Sequence, residues 1–118
     1  MLKNEKKKGF KEIEFQSSIY MLVMRFKELL IDNKKIVAEK QIIDALERKG
    51  FHWLIDSEVE EAKIEIKHNT LIWHSGSYYS GNWYYGIFKG GEFYGVFENG
   101  IFEKGNFKGE FKSGMMFE

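Results

Sequence analysis

A short-period repeat of glycine and a large apolar residue fills the last two-fifths of the chain, from Leu71 to Glu118. Each glycine is followed two positions later by an aromatic or another large apolar side chain. The glycines are five residues apart, except at Gly91→Gly95 and Gly105→Gly109, where the step is four. The apolar members are Trp73, Tyr78, Trp83, Phe88, Phe93, Phe97, Phe102, Phe107, Phe111 and Met116.

The odd step between the aromatic residues limits how this segment can fold. Side chains of a straight strand alternate between two faces, so a five-residue step would place successive rings on opposite faces. Half of the rings would then meet water, although burying one ring stabilises a fold by roughly 1.5–3 kcal/mol. A chain that bends once per repeat turns every ring inward, and glycine suits the bend because it tolerates positive φ. The repeat therefore predicts a β-solenoid of stacked coils.

The segment Gly86-Ile-Phe88-Lys-Gly90 resembles the pentapeptide-repeat proteins, in which a small residue stands two positions before a central Leu or Phe. The array is also similar to the Gly-x-aromatic-x-x repeats of uncharacterised phage proteins, over Leu71–Glu118 only. The square coil of the family implies four repeats per turn and about two to three coils. The resemblance implies the ring stacks Trp73 on Phe93, Tyr78 on Phe97, Trp83 on Phe102 and Phe88 on Phe107. The two four-residue steps would break that register.

The main structural alternative is a β-meander of short hairpins. Asn99-Gly100 is a strong signal for a two-residue hairpin turn. A meander would pair neighbouring strands in antiparallel fashion, whereas a solenoid pairs strands of successive coils in parallel.

The residues before the repeat predict two helices and two strands. Apolar residues at helical spacing predict a helix over Ile19–Ile31, and a second helix is expected over Ala38–Lys49 with Gly50 as its C′ residue. The segments Phe51–Ile55 and Ala62–Lys67 are predicted to be strands. The remaining predictions are a linker or short strand over Lys34–Ala38, a possible helical turn at Ser57-Glu58-Val59-Glu60 and a turn at His68-Asn69-Thr70.

The fold class that follows is α+β. We interpret residues 1–16 as a polar, poorly ordered N-terminus and residues 17–70 as an α/β cap that covers one end of the solenoid. Residues 71–118 form the aromatic–glycine repeat array. The far end, with Met115, Met116 and Phe117, is expected to be apolar and open, which predicts a homodimer or a docked partner there.

Composition excludes several classes of protein. The formal net charge is zero, which argues against a purely electrostatic nucleic-acid binder. There is no cysteine, which excludes disulfides and thiolate zinc sites. We see no secretory leader, and the longest apolar run, Ile19–Met24, is too short to span a bilayer. We therefore expect a cytoplasmic protein without a membrane-spanning segment.

No pattern of catalytic residues is present. The three histidines, His52, His68 and His74, do not have the spacing of a metal motif. The cluster Glu58, Glu60 and Glu61 is interpreted as part of an exposed turn, and no serine stands in a nucleophile elbow. We therefore expect no enzymatic activity, no metal and no cofactor.

Outward side chains suggest a binding surface. The residue after each buried ring should face solvent, and tyrosines dominate the first of these positions. Outward tyrosines on a rigid sheet provide a large contact area with little entropy to lose. The candidate partner-binding residues are His74, Tyr79, Tyr84, Tyr85 and Tyr94. The plainer interpretation is that tyrosine simply suits strands and that the N-terminal cap covers these rings.

Three functions follow from these observations. The leading hypothesis is a non-enzymatic binding protein with a protein partner, such as a phage-type accessory factor or an inhibitor of a host enzyme or defence complex. The second is a self-assembling or virion-associated structural component. The third is nucleic-acid binding by the tyrosines with Lys89, Lys108 and Lys112.

Overall fold

The computed structural model describes residues 24–117. The predictions for the N-terminal 16 residues and for the first part of the Ile19–Ile31 helix lie outside this range. In chain order the larger elements are β1 (Phe26–Ile31), β2 (Lys34–Ile36), α1 (Glu39–Arg48), α2 (His52–Ile55), β3 (Glu58–Lys67) and β4 (Thr70–Ser80). Eight two-residue strands follow: β5 (Asn82–Trp83), β6 (Ile87–Phe88), β7 (Glu92–Phe93), β8 (Val96–Phe97), β9 (Ile101–Phe102), β10 (Asn106–Phe107), β11 (Glu110–Phe111) and β12 (Met115–Met116).

Residues 26–31 form a strand, so the predicted helix over Ile19–Ile31 is wrong for these residues. Asp32 and Asn33 adopt left-handed φ angles of 51° and 64° and join β1 to β2 in a two-residue hairpin. Strand β1 also pairs in parallel with β3, and this pairing buries Phe26 and Leu29 completely. A helical spacing of apolar residues could not reveal a strand partner so far along the chain.

The second predicted helix is confirmed, because α1 lies within Ala38–Lys49 and Gly50 follows it with a φ of 89°. The predicted strand over Phe51–Ile55 is wrong, since His52–Ile55 form a single helical turn. Phe51 and Leu54, three positions apart, are both buried by this turn. Short apolar runs do not distinguish a strand from one turn of helix.

Strands β3 and β4 form a long antiparallel ladder around the His68–Asn69 turn. The predicted strand over Ala62–Lys67 and the predicted turn are confirmed. The helical turn expected at Ser57–Glu60 is replaced by the start of β3. Strand β4 carries the first two repeats, and Gly76 faces two residues of β3, which shifts the register. A further register shift between Trp73 and Ser75 places an extra residue on β4, and it lets Trp73 and Tyr78 face the same interior in spite of their odd spacing.

From β4 onward the chain winds into a three-sided β-solenoid of about three turns. The first side consists of β4, β6, β9 and β12, the second of β4, β7 and β10, and the third of β5, β8 and β11. All strand pairs between successive coils are parallel. Parallel pairing contradicts the β-meander and confirms the solenoid.

The core rings stack in three columns with nearly parallel planes. The columns are Trp73–Phe88–Phe102, Tyr78–Phe93–Phe107 and Trp83–Phe97–Phe111. The predicted four repeats per coil, and the four ring pairs that they implied, are therefore wrong. Successive steps of five, four and five residues make a coil of 14, as from Phe88 to Phe102. The four-residue steps always fall at the same corner, so they maintain the register rather than break it.

The two ends of the solenoid differ. At the first coil, the Trp53 ring of α2 packs edge-on against Trp83, with centroids 5.3 Å apart. At the other end, Met115, Met116 and Phe117 are exposed by 54%, 40% and 48%. No helix in the described part of the chain is long and apolar enough to cross a membrane.

Candidate binding surface

The residues that follow the buried rings form three rows along the corners of the solenoid. Because the rings stack in columns, the residues after them also align from coil to coil. The rows are His74–Lys89–Glu103, Tyr79–Tyr94–Lys108 and Tyr84–Glu98–Lys112. The candidate tyrosines are therefore divided between two rows, with Tyr85 next to Tyr84, and His74 lies on the third.

Tyr79 and Tyr94 stack on each other at the outer surface. Their ring centroids are 5.8 Å apart with planes inclined by 17°, and the residues are 44% and 39% exposed. The Tyr79 hydroxyl donates a hydrogen bond of 2.9 Å to Glu60, and the Tyr94 hydroxyl donates one of 3.0 Å to Glu92. The bond to Glu92 raises the pKa of the Tyr94 phenol above its ordinary value. These bonds fix the positions of both hydroxyl groups.

Carboxylates surround this pair of rings. Glu58 accepts a hydrogen bond of 3.1 Å from the Ser80 hydroxyl, on the same side of the sheet as Glu60. Among residues 24–117, no cation forms an ion pair with Glu58, Glu60 or Glu92. We call the set Tyr79, Tyr94, Glu58, Glu60 and Glu92 the Tyr79–Tyr94 surface. It is aromatic and anionic.

A cleft of about 270 Å³ opens beside Tyr79. Its lining residues are Met24, Arg25, Glu58, Val59, Glu60 and Tyr79. The Arg25 guanidinium donates hydrogen bonds to the carbonyl oxygens of Ser57, at 2.7 Å, and of Ile55. Arg25 is thus tied to the turn between α2 and β3, and it forms no ion pair with the described carboxylates of the cleft.

Tyr84 and Tyr85 have a different environment, because both pack on Trp53. Their ring centroids lie 6.1 and 5.5 Å from that of Trp53, and Tyr85 also contacts Phe51 at 5.6 Å. They are nevertheless 45% and 44% exposed. Part of each ring is thus used to join the helical segment to the first coil.

His74 lies at a third corner, where its Nε2 is 2.9 Å from a carboxylate oxygen of Glu65. In the described part of the chain, none of the candidate tyrosines forms a side-chain hydrogen bond with His74 or Glu65. The structure therefore brings Tyr79 and Tyr94 together and leaves His74 apart.

Sequence reasoning missed the carboxylates beside the tyrosines. Glu58 and Glu60 were interpreted as part of a turn, whereas they lie on β3 opposite Ser80 and Ser77. Counting back from the His68–Asn69 turn along both strands would have placed Glu60 beside this end of β4. The position of Glu92 follows from the three five-residue steps of the first coil, since Glu92 lies 15 residues after Ser77 and pairs with it.

Among the described residues, no group of three or more His, Cys, Asp or Glu side chains could hold a metal ion. Comparisons with protein-family models, curated proteins and solved structures gave no match to this chain. Its function must therefore be inferred from its own surface.

Proposed function

We propose that the chain is a non-enzymatic binding protein that holds a partner protein on the Tyr79–Tyr94 surface. The observation that carries this proposal is the stack of two exposed tyrosines whose hydroxyls are fixed by Glu60 and Glu92. Aromatic rings of this kind contribute large contact area and few rotatable bonds to protein interfaces.

The backbone beneath the two tyrosines is anchored to the core of the solenoid. The rings of Tyr78 and Phe93 stack below it at 4.7 Å, and both residues are fully buried. The Tyr94 backbone N–H donates a hydrogen bond of 2.8 Å to the Tyr78 carbonyl. A surface that is already ordered loses little conformational entropy on binding, so more of the contact energy contributes to affinity.

A more specific form of the proposal is an accessory factor or inhibitor of the phage type, acting on a host enzyme or defence complex in the cytoplasm. Its support is the resemblance of the repeat array alone. The partner identified in the capture experiment below would decide between an enzyme, a defence complex and neither.

The test is partner capture with surface variants of the full chain. A photo-crosslinking residue at position 94 should trap a specific partner, and the same residue at position 89, on another row, should not. Tyr79→Ala/Tyr94→Ala should abolish capture in a pull-down, because two ring contacts of about 1 kcal/mol or more each are lost. Lys89→Ala/Glu103→Ala, which removes an exposed ion pair of 3.9 Å on another row, serves as the matched control. Equal capture by both variants would contradict the proposal.

Self-association through Met115, Met116 and Phe117 is the second candidate function. All three are exposed large apolar residues next to one another at the far end of the solenoid. Light scattering over a concentration series should then show a dimer that Met115→Ser/Met116→Ser/Phe117→Ser converts to a monomer. A monomer at every concentration of the unaltered chain would remove this candidate.

Nucleic-acid binding by the tyrosines is the third candidate. Lys108 extends the Tyr79–Tyr94 row, but Glu60 and Glu92 adjoin the rings and would repel phosphates. A gel-shift experiment at low salt tests it directly, and we expect no shift.

A further inference from the structure

We infer that the Tyr79–Tyr94 surface binds an extended basic polypeptide, whose arginine or lysine side chains lie on the two rings and pair with Glu58, Glu60 and Glu92. This inference rests on the proposed function and adds the chemical class of the partner. It follows from the charge, the shape and the spacing of the surface.

The charge of the surface is its first selective property. The three carboxylates accept hydrogen bonds from the hydroxyls of Ser80, Tyr79 and Tyr94, which leave their negative charge in place. Elsewhere on the solenoid, Glu98 and Glu103 lie 3.9 Å from Lys112 and Lys89. The carboxylates beside the exposed rings form no such ion pair among the described residues, although Lys108 follows Tyr94 in the same row, so a partner can supply the paired cations.

The shape of the cleft beside Tyr79 is the second selective property of the surface. The apolar side chains of Val59 and Met24 line the cleft, and Glu58 and Glu60 contribute its carboxylates. Lysine and arginine have an apolar stem and a charged head, so one such side chain can lay its stem on Val59 and reach a carboxylate. The Arg25 guanidinium, which is hydrogen-bonded to backbone carbonyl oxygens, offsets part of the negative charge of the cleft. It does not form an ion pair with Glu58 or Glu60.

The spacing of the two tyrosine rings is the third selective property of the surface. The Tyr79 and Tyr94 centroids are 5.8 Å apart. In an extended peptide, side chains on one face recur every two residues, at about 6.6 Å. Because the two rings are stacked face to face, two side chains of a peptide with alternating basic residues can lay their apolar stems across the exposed edges of both rings at once, each with its charged head within reach of one carboxylate.

One competing occupant belongs to the chain itself. Residues 1–23 include Lys3, Lys6, Lys7, Lys8 and Lys11, and Met24 lines the cleft. The experiment therefore includes a full-length variant in which these five lysines are replaced by glutamine.

The experiment measures binding of a fluorescein-labelled octapeptide of alternating Arg and Ser to the full chain by fluorescence anisotropy. The neutral probe replaces each Arg with Gln. We expect saturable binding of the basic probe only, weakened by added salt. Glu60→Gln/Glu92→Gln should raise its Kd by about fivefold or more, because two charge contacts are lost. Glu47→Gln/Glu110→Gln, which makes the same change of charge on α1 and on β11 of the other sheet, should leave the Kd within about twofold.

Three results would overturn the inference. The first is equal binding of the neutral and the basic probe. The second is an equal change of Kd in the two glutamine pairs. The third is a rise in affinity of about tenfold or more when the five lysines become glutamine, because the chain's own segment is then the occupant.

The two proposals fail in different ways. If Tyr79→Ala/Tyr94→Ala abolishes partner capture but Glu60→Gln/Glu92→Gln does not, the proposed function stands and the basic class of partner is overturned. If neither pair affects capture, both are overturned.

Discussion

The ring of Phe93 lies on the ring of Phe107, with centroids 5.4 Å apart and planes inclined by 5°. The two residues are 14 positions apart, and the strands that carry them pair in parallel. Each coil after the first therefore consists of three repeats, one of which is a residue shorter than the others, whereas the first coil, from Trp73 to Phe88, has three repeats of equal length. The column that they share with Tyr78 also positions the exposed Tyr79 and Tyr94.

The middle layer of rings should contribute most to stability. Phe93→Ala removes a fully buried ring that contacts Tyr78, Phe107 and Phe97. We expect it to lower the free energy of unfolding by about 3–5 kcal/mol. Phe111→Ala, at the partly buried end, should cost clearly less. Urea denaturation measures both, and an equal loss would contradict the layered core.

The corner glycines should tolerate no side chain where coils touch. A Cβ on Gly91 would lie 2.0 Å from the Gly76 carbonyl oxygen, at a φ of 104°. Gly50 has a similar φ of 89° but no atom within 4 Å of the added Cβ. Gly50→Ala should therefore show only backbone strain of about 1–2 kcal/mol, and Gly91→Ala a much larger loss. The comparison of melting temperatures separates strain from steric contact.

Removal of a whole coil should be tolerated better than removal of one repeat. Deletion of residues 86–99 would bring Trp73 onto Phe102 and leave the short step at its usual corner. Deletion of residues 86–90 keeps the glycine–aromatic pattern but moves the short step to another corner. We expect the larger deletion to unfold cooperatively and at higher urea than the smaller one. The reverse order would contradict a three-sided coil.

The Tyr78 hydroxyl should make stability sensitive to high pH. It is buried and lies 2.6 Å from the Ser57 Oγ, and burial raises the pKa of the Tyr78 phenol far above its usual value. The unfolded chain loses this proton near pH ~10, whereas the folded chain keeps it. The stabilisation is thus complete below pH ~10 and falls above it by up to ~1.4 kcal/mol per pH unit.

Tyr78→Phe provides the comparison for this prediction. It should lower stability at neutral pH by about 1 kcal/mol, since a buried hydrogen bond is lost. Above pH ~10 its stability should fall less steeply than that of the unaltered chain. Parallel slopes in denaturation from pH 8 to pH 11 would show that Tyr78 does not titrate on unfolding.

The repeat contains enough information to predict the solenoid, but the predicted number of sides is wrong. The inward rings follow from the odd step, because no flat strand could bury Trp73, Tyr78 and Trp83 together. The number of sides was taken from a resemblance, although the recurrence of the four-residue step after 14 residues, at Gly91 and Gly105, specified it. Local spacing also predicted α1 well, since Ile42, Ala45 and Leu46 lie on one helix face.

Errors arose where the partner of a segment is distant in sequence. Residues 26–31 have apolar side chains at helical spacing, but their parallel pairing with β3 determines their conformation. The candidate surface shows the same limit. The exposure of Tyr79 and Tyr94 could be predicted from their own repeats, whereas the neighbouring Glu60 is contributed by a strand that the repeat does not include.

The constant position of the short corner has an evolutionary consequence. Since every coil after the first meets its neighbour through the same contacts, duplication or loss in the gene is expected to occur in units of three repeats. Solenoids of related proteins should therefore differ in length by whole coils, while the tyrosines nearest β3 stay at the same position relative to that strand.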